Sequence, residues 1–385
     1  MAIVLRFVDK MGFVRKCFFD LVHVRETTSL TLKNEISDVL SHHTLNIASL
    51  RGQGYDGASN MRSEFKGLQA LFLNDCPHAY FIHCFAHRLQ LALVGAAKDV
   101  IIVYNFFSML SVIVNIARAS AKRLDELQAA YTAHVADMVA RKRLETGRGV
   151  NQLPTLQRVG DTRWSSHLNS ILSLLKLFYA TCIVLQKIVN DGAQSQRAEG
   201  NGALDSLMSF EFVFILHLMK EVLGITHHLC QALQRKSQDI LNAMSLVSST
   251  KRLLQELREI GWEILLEEVE SFCKDNDIAI PDMNAPFLVG RGRRHQKDHT
   301  VEHHYRVDIF LLVIDSQLQE LNTRFKEEVV ELLTLSSSLD PKNSFKFFNA
   351  ENLCTLAKKY YPEDFNDKDL FMLRYELRHY EDDQL

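Results

Sequence analysis

Three short motifs in the chain carry side chains that could take part in chemistry. They are Asp56 inside a glycine-rich run, Cys84 with His87, and Arg163 with Trp164. A carboxylate is a hard oxygen ligand that suits Mg²⁺, whereas cysteine and histidine are the ligands that zinc prefers. An arginine can contact a phosphate, so the third motif could bind a nucleic-acid backbone.

The run around Asp56 allows two different functions. Residues 52–57 (GQGYDG) match the G-x-G-x-x-G fingerprint of dinucleotide-binding proteins, and Asp75 lies near the expected acidic position. Against this, Asp56 would put a carboxylate where a pyrophosphate needs N–H groups, and no repeated βαβ units follow. The alternative is that Asp56, held at a strand end between glycines, reaches a divalent metal. By composition and spacing alone, a turn aspartate that bonds its own backbone is the commoner case.

The spacing of Cys84 and His87 places both side chains on one face of a helix predicted to begin near residue 84. With Cys76, His78 and His83 nearby, a structural zinc site is one candidate, although the paired C-x-x-C spacing is missing. A Cys–His nucleophile pair is disfavoured, because helix residues three apart rarely aim at a common substrate. A packing cysteine beside a hydrogen-bonded histidine is the structural alternative.

Arg163 and Trp164 follow a loop and precede a helix that Ser165 or Ser166 would cap. Arg163 could contact a phosphate or a carboxylate, while a core-anchoring role is the common one for a tryptophan. Other basic stretches could also bind backbone phosphates, although solvated loops explain them too. These stretches are Arg141–Arg143 with Arg148, and Arg291 with Arg293 and Arg294.

The elements that position these motifs change character near residue 100. Before it, the predicted order of strands and helices fits an α/β domain with a hairpin turned at 9–12. The strands are predicted at 2–8, 13–24, 45–50 and 80–83, and the helices at 28–42 and 60–73. Beyond it, long helical patterns dominate at 119–143, 165–189, 204–234, 238–273 and 305–333, with polar loops at 145–154, 191–202 and 280–299.

Composition and charge narrow the class of protein. The chain has 385 residues, 47% hydrophobic and 24% charged, as in a soluble protein with a substantial core. Its net charge of −3 means that any nucleic-acid binding must come from local basic patches. Seven scattered cysteines make no disulfide framework, which favours a reducing cytosolic or nuclear setting.

No targeting or membrane segment is predicted. The N-terminus lacks the pattern of a signal peptide. The most membrane-like stretch, 100–117, carries a polar stripe at helical spacing, which favours a buried helix of a soluble protein and no membrane partner.

Taken in order, the motifs resemble those of hAT-superfamily transposases. The matching strings are RGQGYDGASNM at 51–61, HCFAHRLQLAL at 83–93 and GDTRW at 160–164. The resemblance continues through 196–201, 231–236 and 303–306, so it covers essentially the whole chain. In particular, the chain resembles plant TTF-type and zinc finger MYM-type-like proteins, which carry a domain of unknown function (DUF4371) beside a hAT dimerisation region.

The resemblance implies a fold class of α/β plus all-α. An incomplete RNase H-like mixed sheet with helices would be interrupted by a large helical insertion domain. The expected parts are a partial RNase H-like core without its first strand at 1–100, a helical region and insertion domain at 101–275, a basic exposed loop at 276–304, and a helical segment at 305–385 that leads to a missing C-terminal dimerisation region.

The resemblance also assigns roles to the three motifs. In the family an acidic triad binds Mg²⁺ for DNA strand cleavage and transfer, and Asp56 matches its second acid. Cys84 with His87 matches the family's C-x-x-H pair, and Arg163 with Trp164 its Arg-Trp pair. Both pairs are associated in the family with the active region and with the handling of DNA ends.

The sequence departs from the family pattern in its acids. The first acid is expected upstream of Met1, and the last in a helix after Leu385. One acid of three cannot hold two metals, so we expect neither bound Mg²⁺ nor catalysis from this chain alone.

The sequence therefore predicts a transposon-derived, hAT-like protein that is catalytically inactive and nuclear, or otherwise cytoplasmic. It would retain weak binding to DNA or to proteins, including copies of itself. Two alternatives stay open: a clipped gene model of an active Mg²⁺-dependent DNA transposase, and a helical protein-interaction scaffold recruited by the host.

Overall fold

The protein forms two compact units. Unit 1 consists of Met1–Leu89, Ala232–Ser245 and Arg324–Leu385, and unit 2 of Gln90–Gln231 and Leu246–Thr323. Both units are therefore built from segments that are separated in the sequence. The computed structural model describes residues 1–11, 14–55, 58–63, 66–83, 100–142, 144, 154–158, 160, 164–233, 240–288, 296–324, 331, 335–336, 338 and 348–384.

Unit 1 begins with an antiparallel hairpin of β1 (Ala2–Val8) and β2 (Val14–Leu21). At the turn, the Asp9 carboxylate accepts the Met11 N–H at 3.0 Å and the Arg15 Nε–H at 2.6 Å. A short polar side chain that bonds nearby N–H groups stabilises such a reversal. The predicted hairpin is thus confirmed, with β1 at the predicted bounds and β2 ending three residues earlier than predicted.

Unit 1 has three described helices in the segment that follows the hairpin. They are α1 (Ser29–His42), α2 (Ser59–Arg62) and α3 (Leu68–Asp75). The side chain of Thr28 caps α1 by accepting the Thr31 N–H, which fixes its first turn. The core that these helices share is small and centres on Leu32, Leu68 and Phe72.

The second sheet of unit 1 is a parallel pair, β3 (Gly52–Tyr55) and β4 (Tyr80–His83), in register from Gly52 opposite Tyr80 to Tyr55 opposite His83. The strand predicted at 45–50 is wrong, because those residues contain a 3₁₀ turn at Ile47–Ser49. Glycine is a weak strand former, so the two glycines of β3 hide the strand from a prediction based on propensity. In the structure, pairing with β4 overrides that propensity.

The described strands form three separate two-stranded pairs: β1–β2, β3–β4 and a third pair in unit 2. A single mixed sheet, as the sequence predicts, is not seen within these described strands. The antiparallel hairpin and the parallel pair are nevertheless both parts of unit 1.

The C-terminal segment completes unit 1 with α12 (Ala350–Tyr360) and α13 (Asp367–Gln384). Arg51, just before β3, forms an ion pair of 3.4 Å with Asp364, across 313 positions of sequence. At the start of β4, the Tyr80 ring meets the Tyr360 ring edge to face at 5.3 Å. The two ends of the chain therefore fold into one unit.

Unit 2 is mainly helical. Its long helices are α4 (Ile101–Ala117), α5 (Ala121–Ala140), α6 (Trp164–Asp191), α7 (Gln194–Leu207), α8 (Phe210–Leu233) and α9 (Ile240–Asp275), of which α9 enters unit 2 at Leu246. Phe214 is fully buried and packs between Trp262 and Tyr305, with ring centroids 5.9 and 5.0 Å away. Aromatic packing thus joins α8, α9 and the segment after residue 300.

The polar loop predicted at 191–202 is wrong, because Gln194–Leu207 forms α7. The glycines that suggested a loop include Gly200, which is buried against α6. A Cβ atom added there would lie 2.9 Å from Cγ2 of Ile188. Glycine is present because the two helices approach closely, and not because the chain turns.

The predicted exposed loop at 276–304 also contains regular structure. The short strands β5 (Pro286–Leu288) and β6 (Gln296–Thr300) pair antiparallel. Backbone pairing explains the difference, since two strands of three and five residues carry little sequence signal. A continuous helical stretch then runs from α10 (Val301–His303) through a π-helix at His304–Leu311 into α11 (Leu312–Arg324).

Among the residues that the structure describes, two helical segments could cross a membrane by length and composition alone. Ser166–Asp191 reaches a mean hydropathy of 1.8 and Phe210–Ala232 one of 1.2, and 56% and 67% of these windows are buried. Together, α4 and α5 would make a third span, bent by 99°. Packing within the unit therefore accounts for more than half of each of the two apolar windows.

Candidate functional site at the β3–β4 edge

The parallel pair β3–β4 brings two of the sequence motifs to one edge. Tyr55 and His83 are register partners at the carboxyl ends of the two strands. The next residue along the chain is Asp56 after β3 and Cys84 after β4. Asp56, Cys84 and His87 themselves lie outside the described residues, so what the structure gives is the pair of strand ends that lead into them.

A buried amide fixes β3 beneath this edge. Gln53 is 8% exposed, and its Nε2 donates to the carbonyl oxygens of Gln69 at 3.1 Å and Ala79 at 2.8 Å. Its Oε1 accepts the hydroxyl of Tyr55 at 3.0 Å. One side chain thereby ties β3 to α3 and to the turn before β4, which holds the strand end in a defined position.

Tyr55 is the last residue of β3 and faces the unit's interior. Its ring stacks on Phe81 of β4 at 5.9 Å. Burial raises the pKa of the Tyr55 hydroxyl above its ordinary value. The hydroxyl is therefore protonated at neutral pH and acts as the donor to Gln53, so it supplies no charge to the edge.

Two of the residues considered for zinc, Cys76 and His78, have other partners. Cys76 is buried, and its Sγ donates to the Leu50 carbonyl at 3.2 Å. His78 Nε2 lies 3.1 Å from a carboxylate oxygen of Glu363. Within the part of the chain that the structure describes, no group of three or more His, Cys, Asp or Glu side chains is arranged to hold a metal.

The β3–β4 pairing also contradicts the dinucleotide fingerprint. Gly52 and Gly54 are strand residues opposite Tyr80 and Ile82, whereas the fingerprint needs its glycines in a loop between strand and helix. The segment that would cradle a pyrophosphate is thus occupied by a β-ladder.

The Arg163–Trp164 motif lies at the start of α6 in unit 2. Trp164 is the first helical residue, and its side chain and all of Arg163 lie outside the described residues. The predicted serine cap is wrong, because α6 begins before both serines. Ser166 instead accepts the Gly160 N–H at 2.9 Å, which joins the preceding loop to the helix.

The basic stretches give little support for a phosphate site. Arg141 forms an ion pair of 2.9 Å with Asp137 one helical turn earlier. Arg143, Arg148 and the cluster Arg291, Arg293 and Arg294 lie outside the described residues.

Sequence reasoning missed two features of the site region. The Gln53 amide network has no signature in the sequence, because a buried glutamine looks like a surface one. The contacts from the C-terminal segment to Arg51 and His78 are also invisible, since they join residues far apart in the chain.

Residues 1–67, which include β1 to β3, match the family model of DUF4371, described as a ZMYM1/FAM200 RNase-like domain. Over 344 residues the chain is 21% identical to the mouse (Mus musculus) "52 kDa repressor of the inhibitor of the protein kinase", covering 86% of this chain and 43% of that protein. The human (Homo sapiens) protein of the same name is 20% identical over 343 residues, with the same shares.

The chain thus spans less than half the length of the curated relatives it matches. No solved structure matches it significantly. Because the alignment covers 86% of the chain, the similarity extends into both units. These findings support the coarser prediction, that the chain is related to a transposase-derived protein family.

Proposed function

We propose that the chain is a hAT-like, transposase-derived regulatory protein that binds DNA and does not cleave it alone. The observation that carries this proposal is the in-register end of β3 and β4. Two of the three motifs that resemble those of hAT transposases start from these neighbouring strand ends, as the parts of one active region would.

The arrangement of unit 1 supports an RNase H-like origin. Its α/β segment (1–89) and its C-terminal helices are separated in sequence by the residues of unit 2. A helical insertion into an α/β core has this connectivity. The antiparallel hairpin β1–β2 and the parallel pair β3–β4 are the two kinds of pairing that a mixed RNase H-like sheet contains.

The proposal that the chain does not cleave DNA alone rests on the number of carboxylates that could bind metal ions. Two-metal strand transfer needs two or three carboxylates to hold the ions, and Asp56 is the one residue of this chain that matches the family's triad. No further acid is grouped into a metal site among the described residues. Asp56 and water alone would therefore hold no resident Mg²⁺, and an ion would bind there only when a DNA phosphate supplies a further oxygen ligand.

The printed name of the mouse and human relatives describes a repressor. For this chain we propose a corresponding nuclear, repressor-type role, in which DNA is bound through its backbone and the edge at Asp56 and Cys84 lies near the duplex. Because the net charge is −3, binding must come from local contacts between basic side chains and DNA phosphates. Such phosphate contacts weaken with salt, so the affinity should fall steeply as salt is added.

The test uses the purified chain and a fluorescent DNA duplex in anisotropy titrations at constant ionic strength. Mg²⁺ bridging Asp56 to a phosphate should tighten binding to the wild-type protein by about threefold, the size of a modest charge effect. The Asp56→Asn variant should lose this Mg²⁺ effect. The control Asp38→Asn, an exposed carboxylate on α1 of the same unit, should keep it.

A supercoiled plasmid incubated with the chain and Mg²⁺ should remain uncut. Nicking that Asp56→Asn abolishes would instead establish the alternative of an active Mg²⁺-dependent transposase. Binding that shows no salt dependence, or an equal Mg²⁺ effect in all three proteins, would contradict the proposed role of this edge.

A further inference from the structure

The outward face of α9 carries an apolar stripe that the described residues of unit 2 leave uncovered. Leu253, Leu257, Ile260 and Ile264 recur at spacings of four, three and four, which places them on one side of the helix. Leu253, Ile260 and Ile264 are 39%, 63% and 59% exposed. We call these four residues the α9 seam.

The opposite side of α9 accounts for the packing of the helix. Leu254, Trp262, Leu265 and Val269 are buried, and Trp262 meets Phe214 and Phe310. The helix thus has a full set of core contacts without the seam. Single exposed apolar residues are common on protein surfaces, but three exposed ones with the half-buried Leu257, in a continuous row at coiled-coil spacing, are not explained by this core.

The seam borders a shallow groove of about 220 Å³ between α8 and α9. Gly261 forms part of its lining, and the side chain of Leu257 lies across the position where a Cβ atom of residue 261 would be, at 2.5 Å. A larger residue at 261 would push Leu257 away. The groove therefore depends on a glycine within the helix, where glycine costs about 1 kcal/mol relative to alanine.

The flanks of the seam are acidic. Glu221, Glu256 and Glu268 line the groove, and Glu263 is exposed beside it. Two cations reduce this charge: Lys220 contacts Glu221 at 3.0 Å and Glu268 at 3.1 Å, and Arg252 lies 3.6 Å from Glu256. Four carboxylates against two cations still leave the flanks negative.

The spacing and the charge together define what fits this surface. In heptad terms the seam occupies a and d positions, and Glu256, Glu263 and Glu268 occupy the flanking g and e positions, which set partner choice in coiled coils. A second α9 would oppose glutamate with glutamate in either orientation, so self-pairing is disfavoured. Anionic lipid surfaces are disfavoured for the same reason.

We propose that the α9 seam is a docking site for a basic amphipathic helix of a partner protein. Apolar side chains of that helix would pack on Ile260 and Ile264, and its lysines or arginines would face Glu256 and Glu263. This inference concerns unit 2 alone, so it holds or fails independently of DNA binding at the β3–β4 edge.

The probe is a fluorescent three-heptad peptide of about 21 residues, with leucine at a and d and lysine at e and g. A matched peptide carries glutamate at e and g. We expect the lysine peptide to bind the whole chain about tenfold more tightly than the glutamate peptide, with a difference that shrinks as salt is added. Equal binding of the two peptides would overturn the proposal.

Variants of the chain locate the binding. Ile260→Asp with Ile264→Asp should abolish binding of the lysine peptide. The control Ile101→Asp replaces a residue that is 72% exposed on α4 and should leave binding unchanged. If the control weakens binding equally, the site is not the seam.

A charge reversal gives a gain of binding that misfolding cannot mimic. Glu256→Lys with Glu263→Lys should reverse the preference, so that the glutamate peptide binds more tightly. An unchanged preference would overturn the charge argument. Sedimentation of the wild-type chain as a dimer that Ile260→Asp converts to a monomer would assign the seam to a second copy instead.

Discussion

In unit 2, Phe214 lies between Trp262 and Tyr305 with no exposed surface, whereas at the centre of unit 1 the buried Gln53 links three elements through hydrogen bonds. Unit 2 gains its stability from apolar burial along long helices. Unit 1 has small apolar clusters, and polar contacts join its distant segments. This difference implies that substitutions which disturb apolar packing should destabilise unit 2 most. Substitutions which remove a hydrogen-bond donor or a charge should mainly destabilise unit 1.

The largest effect is expected from Phe214→Ala. Removing a fully buried ring from the aromatic core should cost about 3–5 kcal/mol of the free energy of unfolding. Phe18→Ala is the control, since that ring is 67% exposed on the β1–β2 hairpin of unit 1. Urea unfolding followed by circular dichroism would measure both. Similar losses in the two variants would remove the contrast between the units.

A methyl group added at Gly200 tests how tightly unit 2 is packed. Gly200→Ala would place a Cβ atom 2.9 Å from the stiff β-branched Ile188, so a loss of about 1–3 kcal/mol is expected. Gly202→Ala, on the same helix with no atom within 4 Å, should stabilise by about 0.5–1 kcal/mol. In thermal unfolding, the melting temperature should fall in Gly200→Ala and rise in Gly202→Ala. Equal signs would mean that α6 and α7 do not approach as closely as Gly200 indicates.

Gln53→Met tests the polar centre of unit 1. The substitution keeps the size of the side chain but removes the hydrogen bonds that Gln53 donates to the Gln69 and Ala79 carbonyls and accepts from the Tyr55 hydroxyl, so a loss of about 1–3 kcal/mol is expected. Hydrogen exchange should accelerate in β3 and β4 but not in unit 2. Gln128→Met, at an exposed position of α5, is the matched control. Unchanged exchange in β3 would show that the network does not hold the strand.

Acid should weaken unit 2 through His217. Burial lowers the pKa of this histidine from its ordinary value of 6.5, although a hydrogen bond to the Val213 carbonyl opposes the shift. Below pH 6.5 the unfolded chain takes up a proton that the folded chain does not, so stability is present above this pH and falls below it.

Between about pH 7.5 and 5.5, the wild-type protein should therefore lose up to about 1 kcal/mol more than His217→Gln. Urea midpoints of unit 2 at the two pH values would show this. His379→Gln, at an exposed residue of α13, should behave as wild type. A wild-type slope that survives in His217→Gln would assign the acid effect to another group.

The smallest effect is expected from Asp364→Asn, which removes the ion pair with Arg51. Both side chains are partly exposed, so the loss should be about 0.2–1 kcal/mol and should disappear in high salt. Faster hydrogen exchange in α12 would be the readout, with Glu376→Gln on α13 as the control. Persistence of the effect in high salt would point to packing and not to charge.

Much of the backbone pattern could be predicted, and the exceptions share a cause. β1 and β4 have their predicted bounds because β-branched and aromatic residues dominate them. The sequence does not predict β3 or α7, because Gly52, Gly54 and Gly200 are typical of turns. In each case tertiary contact, with β4 or with Ile188, decides the structure. Local propensity cannot register a neighbour that is distant in sequence.

The motifs of the candidate site could be predicted from the sequence, but the contacts that hold them in position could not. The strand before Cys84 has its predicted bounds, whereas the strand predicted before Asp56 at 45–50 is wrong and β3 lies at Gly52–Tyr55 instead. The parallel register that makes these ends neighbours needs the structure, as does the Gln53 network below them. The sequence predicts a helix at 238–273 without identifying the α9 seam, because only burial shows which apolar side of the helix is already used.

The division of unit 1 between both ends of the chain has a consequence for synthesis. When residues 1–89 leave the ribosome, the segment from Arg324 onward, which supplies Asp364 and Tyr360, is still to be made. At roughly 5–20 residues per second, the wait is on the order of tens of seconds. During it, Arg51 and the Tyr80 ring, which contact that segment in the finished unit, would lack these partners and would be open to chaperones.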